Sequence, residues 1–264
     1  MNPDTLAPPP NAATAPAHRR FKATEGQVAY GISIGILMLE ANVPFVPGDV
    51  GNASTYDFPV QYRLVPEASG EAVVSRQDPA LTPFFVEAAE ELEAQGVRAI
   101  TSDCAYVGAY QEAIAEAVDI PVFISSLLQV PMLVSMFAPS RKLAVLVANG
   151  ASVSDRLLEP VGIVGKVRDR CVIRGLEDKE AFTSALLAES GELDQDAIEA
   201  EIVETAVQMV AEDPSIAAFH FECSAMPPYS AAVQAATGLP TFDWIGFINY
   251  VHHAVVRRPY HGFI

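Results

Sequence analysis

The 264 residues contain three cysteines, and two of them, Cys104 and Cys223, occupy matching places. "RAITSDCAY" (98–106) and "AAFHFECSA" (217–225) each place a cysteine directly after a short apolar run. Seventeen residues after each comes a proline, Pro121 in "DIPVF" and Pro240 in "GLPTF". A thiolate is a competent base and a thiol a competent acid near neutral pH, from an ordinary pKa of about 8.5 that a site can lower. One such group on each face of a carbon suits proton removal on one side and donation on the other, next to a carboxyl group and with no cofactor. Cys171, in "DRCVIRG", has no twin and reads as a small buried hydrophobe.

The elements that must position this pair repeat along the chain. Short apolar, β-branched runs predict strands at 30–39, 60–65, 97–104, 120–124, 141–150, 216–223 and 239–242. Helices are expected over 82–96, with Thr82 as N-cap and Pro83 at N1, and over 106–119, 127–137, 197–213, 229–238 and 244–256. Ser126 and Gln129 suggest a capping box. In 197–213, Ile198, Ile202, Ala206, Val207 and Val210 form one apolar face. Alternation of strands and helices predicts an α/β fold with parallel sheets flanked by helices. The offset of 119 between the two cysteines predicts two pseudo-symmetric lobes, with the site in the cleft between the carboxyl ends of their sheets. The expected division is a disordered Pro/Ala-rich tail over 1–21, a first lobe over 22–137, a second over 138–240, and a segment 241–264 packing back on the first.

At this point the residues resemble the aspartate/glutamate racemase superfamily. It includes aspartate, glutamate and hydantoin racemases, arylmalonate decarboxylase, maleate isomerase and the algal dimethylsulfoniopropionate lyases. "GVRAITSDC", "IPVFISSLLQVP", "ECSAMPPY" and "TGLPTFD" carry the resemblance, which covers essentially all of 30–260. It implies Cys104 and Cys223 as the acid/base pair and Ser224 in the place of a carboxylate-binding Thr. Ala105 stands where glutamate racemases carry Asn, and Ala225 where they carry His, so both departures count against glutamate racemase proper.

Around the cysteines, Ser102 is a candidate hydroxyl at the cleft, and the loop of Asn149 and Gly150 a candidate source of amides for a carboxylate. The stretch 40–59 reads as a binding loop from which Tyr56 would close over substrate; Arg63 beyond it is a weaker carboxylate partner. Strand alternation turns Asp103 and Glu222 away from their neighbouring sulfurs. The five histidines show no ligand spacing and no phosphate loop is present, so neither a metal nor a cofactor is expected.

A formal net charge of −17 argues against nucleic acid and anionic membranes as partners. The odd, widely spaced cysteines and the lack of an apolar leader or spanning run suggest a cytoplasmic protein, expected as a homodimer or higher homo-oligomer. The partner is a small carboxylate. The leading reading is a cofactor-independent amino-acid racemase or epimerase. The alternative is a lyase of the same superfamily, releasing dimethyl sulfide and acrylate from dimethylsulfoniopropionate. A non-enzymatic carboxylate binder is the third.

Overall fold

The computed structural model describes residues 20–24 and 27–260; most of the 1–21 tail lies outside them. Two parallel sheets form the frame. The first has the order β2-β1-β3, from β1 (Ile34–Glu40), β2 (Val60–Ser69) and β3 (Ala99–Ser102). The second has the order β5-β4-β6-β7, from β4 (Lys142–Val147), β5 (Cys171–Gly175), β6 (Ile216–Phe221) and β7 (Thr241–Phe242). Every pairing is parallel, and the central strands are buried on both faces, as covered parallel sheets require.

Helix α1 (Thr82–Ala94) packs on the first sheet with α2 (Gln111–Ala117) against it, while α3 (Val130–Ser135) lies against β4 of the second. Short helices α4 (Asp155–Leu158), α5 (Gly165–Arg168) and α6 (Glu180–Phe182) lead to the long α7 (Gln195–Glu212), α8 (Ser230–Thr237) and α9 (Trp244–Val255).

Several local expectations are corrected. Segment 120–124 is not a full strand: its backbone pairs with β3 through an isolated Ile100–Val122 bridge, with Ile100 N–H donating to Pro121 O and Phe123 N–H to Ile100 O. Pro121 has no N–H with which to extend the ladder. It lies where β7 lies in the second sheet, so the repeat holds spatially. Strand β5 pairs with β4 as β2 pairs with β1, which makes Cys171 the first residue of an edge strand. Thr82 is not a cap, because a 3-10 turn at Pro79–Leu81, capped by Asp78, precedes α1. The expected helix 106–119 begins as a 3-10 turn over Ala105–Tyr110. Ser125, not Ser126, caps the turn at Ser126–Gln129. On α7 the buried face is Ile198, Ile202, Thr205, Ala206 and Met209, while Val207 is exposed.

Helix α9 leaves the second sheet after β7 and lies against residues of the first. Trp244 is fully buried and its indole N–H donates to the Thr101 hydroxyl at 3.1 Å. Phe247 packs edge-on to Phe123, and His252 Nδ1 lies 2.8 Å from Ser33 Oγ. Trp244→Ala is expected to lower unfolding stability by about 3–5 kcal/mol, read from the urea midpoint; a loss below about 1 kcal/mol would mean that α9 contributes little to the first lobe.

Candidate active site

Strands β3 and β6 stop one residue short of the acids that precede the cysteines. Asp103 N–H donates to Leu37 O and Glu222 N–H to Leu146 O, so each chain continues beside the central strand of its own lobe. Each acid then folds back onto that strand's end. The Asp103 carboxylate accepts from Leu39 N–H at 3.1 and 3.2 Å, and Glu222 Oε2 accepts from Ala148 N–H at 2.9 Å. The alternation that would turn these acids away from the sulfurs applies only inside a strand, and both sites begin where the strand has ended. Cys104 and Cys223 follow, each at the start of a new turn.

The structure brings both cysteines to one cavity of about 80 Å3. A water needs about 10–15 Å3 of such space, so this is room for a small organic molecule. Its wall holds Cys104, Ala105 and Tyr106 from the first lobe and Cys223, Ser224 and Ala225 from the second, with Asp103, Glu222 and Glu189. Apolar cover comes from Val43 and Phe45 in the 40–59 loop and from Leu186 and Leu187 across the cleft. All three cysteines are free thiols.

The remaining sequence-predicted residues stand behind this wall. Ser102 is buried, and its hydroxyl donates to Ile124 O at 2.6 Å while lying 3.4 Å from Cys104 N; it braces the cysteine turn. Tyr56 is buried with its hydroxyl on Val50 O at 2.9 Å. Asn149 donates its N–H to the Tyr106 hydroxyl, which in turn donates to Asn149 O. The Gly150 and Ala151 amides go to the Glu177 carboxylate at 2.9 and 3.2 Å. Glu177 occupies the place that a substrate carboxylate was expected to take. Arg63 pairs with Glu91 at the surface, and Cys171 lies outside the cavity against Val167 O.

Sequence reasoning missed Tyr106, Phe45 and Glu189, and set Asp103 and Glu222 aside. The signal for the acids was present, since each half carries one immediately before its cysteine. Tyr106 gave no comparable sign: its role comes from two hydrogen bonds to Asn149 across the lobes.

The electrostatics are one-sided, because among the described residues no Lys, Arg or His lines the cavity. Burial pushes both Asp103 and Glu222 up to about 8, against the opposing effect of their backbone donors. Burial and then the Glu222 charge hold both thiols well above their ordinary range, opposed by the amides of Tyr106 at Cys104 and Ala225 at Cys223. Nearby Asp49, also buried, is lifted to about 7. Among the described residues no group of three or more His, Cys, Asp or Glu could hold a metal ion, and no helix is long and apolar enough to cross a membrane.

Two lobes with a cysteine from each facing a common cavity define the class: the fold is that of the aspartate/glutamate racemase superfamily. A sulfate-associated variant of arylmalonate decarboxylase superposes with a TM-score of 0.57 at 18% identity, covering 84% of this chain and 93% of that one. Allantoin racemase from Pseudomonas fluorescens gives 0.55 at 17%, covering 85% and 91%. No family model matches the chain. Dimethylsulfoniopropionate lyase 7 of Emiliania huxleyi (strain CCMP1516) is 34% identical over 238 residues, spanning 87% of this chain and 69% of that protein. The dimethylsulfoniopropionate lyase of Durusdinium sp. clade D is 33% identical over 236 residues, spanning 87% and 77%. The chain belongs to the dimethylsulfoniopropionate lyase family.

A carboxyl group whose pKa is raised on folding contributes its full stability below the ordinary carboxylate range, and loses it as pH rises through about 8 for Glu222. Glu222→Gln, which stays neutral, is therefore expected to gain on the wild type as pH goes from about 5 to 9. Urea unfolding across that range reads the gain, and a difference that stays flat with pH would remove the raised pKa.

Proposed function

We propose that the protein is a carbon–sulfur lyase that splits a sulfonium propionate, dimethylsulfoniopropionate in the first instance, into dimethyl sulfide and acrylate. The observation that carries this reading is the charge of the cavity: among the described residues it is lined by three carboxyl side chains and two thiols, with no cationic side chain. A dicarboxylic amino acid would bring net negative charge to buried acids, whereas a sulfonium zwitterion brings its cation to them. Its relatives from Emiliania huxleyi and Durusdinium support the same choice.

The chemistry follows from these groups. A cation held beside Asp103 and Glu222 favours their ionised forms, and also favours a thiolate over a thiol. The thiolate of one cysteine takes the proton from the carbon next to the carboxylate. The electron pair so released forms the carbon–carbon double bond as the carbon–sulfur bond breaks. Dimethyl sulfide departs with that bond's pair, acrylate remains, and the proton stays on the cysteine until solvent removes it. The leaving group is neutral, so the elimination needs no acid on the far face. Negative charge building on the carboxylate requires donors, a role we assign to amides of the turns at Ala105 and Ser224, which line the cavity.

Racemisation is the second reading, favoured by the equivalence of the two cysteines at corresponding strand ends. The two differ in what each thiol must do. Elimination with one base predicts unequal losses for Cys104→Ala and Cys223→Ala, the base variant falling by about 100-fold or more. Racemisation predicts that both variants fail and that amino acids gain solvent deuterium at the α-carbon. Proton NMR of the sulfonium substrate in heavy water should show dimethyl sulfide and acrylate in equal amounts. No release at enzyme concentrations comparable to substrate would sink the lyase reading.

A further inference from the structure

The polar ties between the lobes are of two kinds. Tyr106 with Asn149, Ser126 Oγ to Glu222 O, and Gln77 with Ser152 and Ser154 are buried or partly buried. The tie between Asn42 and Glu189 is solvent-exposed. Asn42 N–H donates to Glu189 Oε2 at 3.1 Å, and Asn42 Nδ2 donates to Glu189 O at 3.3 Å. Glu189 lines the cavity, and its charge helps to lift Asp103. Residues on either side of this tie, Ala41 and Val43 on one strand of chain and Leu186 and Leu187 on the other, form the cavity's cover.

The backbone around this tie is shaped for it. Glu189 has φ +51 and Gly191 φ +81, two left-handed positions on either side of Ser190, a conformation that few side chains tolerate. A Cβ on Gly191 would stand 2.9 Å from Asn42 Nδ2, and one on Gly70 would stand 2.7 Å from Glu189 Oε1. Gly70 therefore leaves space for the Glu189 carboxylate, and Gly191 for the Asn42 amide that meets it. The rest of the 40–59 loop is anchored independently: Asn52 Nδ2 donates to Phe45 O, and the Thr55 hydroxyl donates to Asp49 O. Only the short link from β1 to Phe45 depends on Glu189.

We propose that Glu189 is the specificity-determining residue at the mouth of the cavity: with Asn42 it holds the cover shut, and its carboxylate selects cationic ligands as they pass. The proposal rests on the sulfonium reading for the ligand's charge and is tested without turnover. Two variants separate its halves. Glu189→Gln keeps an acceptor for Asn42 and removes the charge; Asn42→Ala keeps the charge and removes half of the tie.

The probes are methanethiosulfonates, which convert a cysteine thiolate to a mixed disulfide with loss of methanesulfinate. Trimethylammonium-ethyl, sulfonatoethyl and uncharged methyl forms report selection by charge, with each cysteine followed by peptide mass spectrometry. Cys104 and Cys223 of the wild type should react about 10-fold or more faster with the cationic than with the anionic reagent. Glu189→Gln should lower that ratio by about 3–10-fold without changing the rate of the uncharged reagent. Asn42→Ala should speed the uncharged reagent several-fold and preserve the ratio. Cys171, outside the cavity, should react alike in all three proteins.

A ratio untouched by Glu189→Gln, or no preference in the wild type, overturns the selecting role. An uncharged rate untouched by Asn42→Ala overturns the closing role. The near-isosteric Glu189→Gln keeps the charge half decidable even if Asn42→Ala folds poorly. Dimethyl sulfide release with an unchanged ratio would remove this proposal and leave the lyase reading standing. A fallen ratio with no dimethyl sulfide would do the reverse.

Discussion

Each lobe ends its central strand on a buried carboxyl group, and much of the molecule follows from that. Asp103 takes the Leu39 amide and Glu222 the Ala148 amide, so the last free donors of β1 and β4 are satisfied by side chains from the neighbouring strand. Burying an acid without a cation is costly, and hydrogen bonds offset only part of it. The arrangement nevertheless fixes where β3 and β6 stop and where the cysteine turns begin. It also leaves the cavity short of positive charge. The same two side chains thus terminate the sheets and set the potential in which the thiols sit.

That potential explains why the two halves of the cysteine reading come apart. Short turns after each cysteine do supply amides that favour a thiolate, at Tyr106 and Ala225. They are outweighed by burial and by Glu222. The charge on Glu222 and Asp103 thus bears on both thiols at once.

The repeat of strand, cysteine and proline-bearing segment was legible because it is local: Cys104 and Cys223, Pro121 and Pro240 stand in short stretches with clear periodicity. The parallel two-lobed fold followed from that, and the superfamily from the resemblance of the motifs around the cysteines. What was not legible depended on pairing at a distance. Strand β5 is a five-residue edge run whose place is set by β4. Gly150 looked like an open amide until Glu177, far along the chain, closed it. Asp103 and Glu222 were misjudged because a rule valid within a strand was carried one residue past its end. Tyr106 and Glu189 act through contacts between lobes, which no window of sequence displays.

Helix α9 gives the chain a direction in time. Trp244 and Phe247 seat against Thr101 and Phe123, so the face they cover, made from early residues, stays bare until a late segment has been synthesised. Domains usually settle in the order in which they leave the ribosome. Here the surface that α9 covers on the first lobe stays unshielded until the second has been synthesised. The interval between those events is when a chaperone would have something to hold.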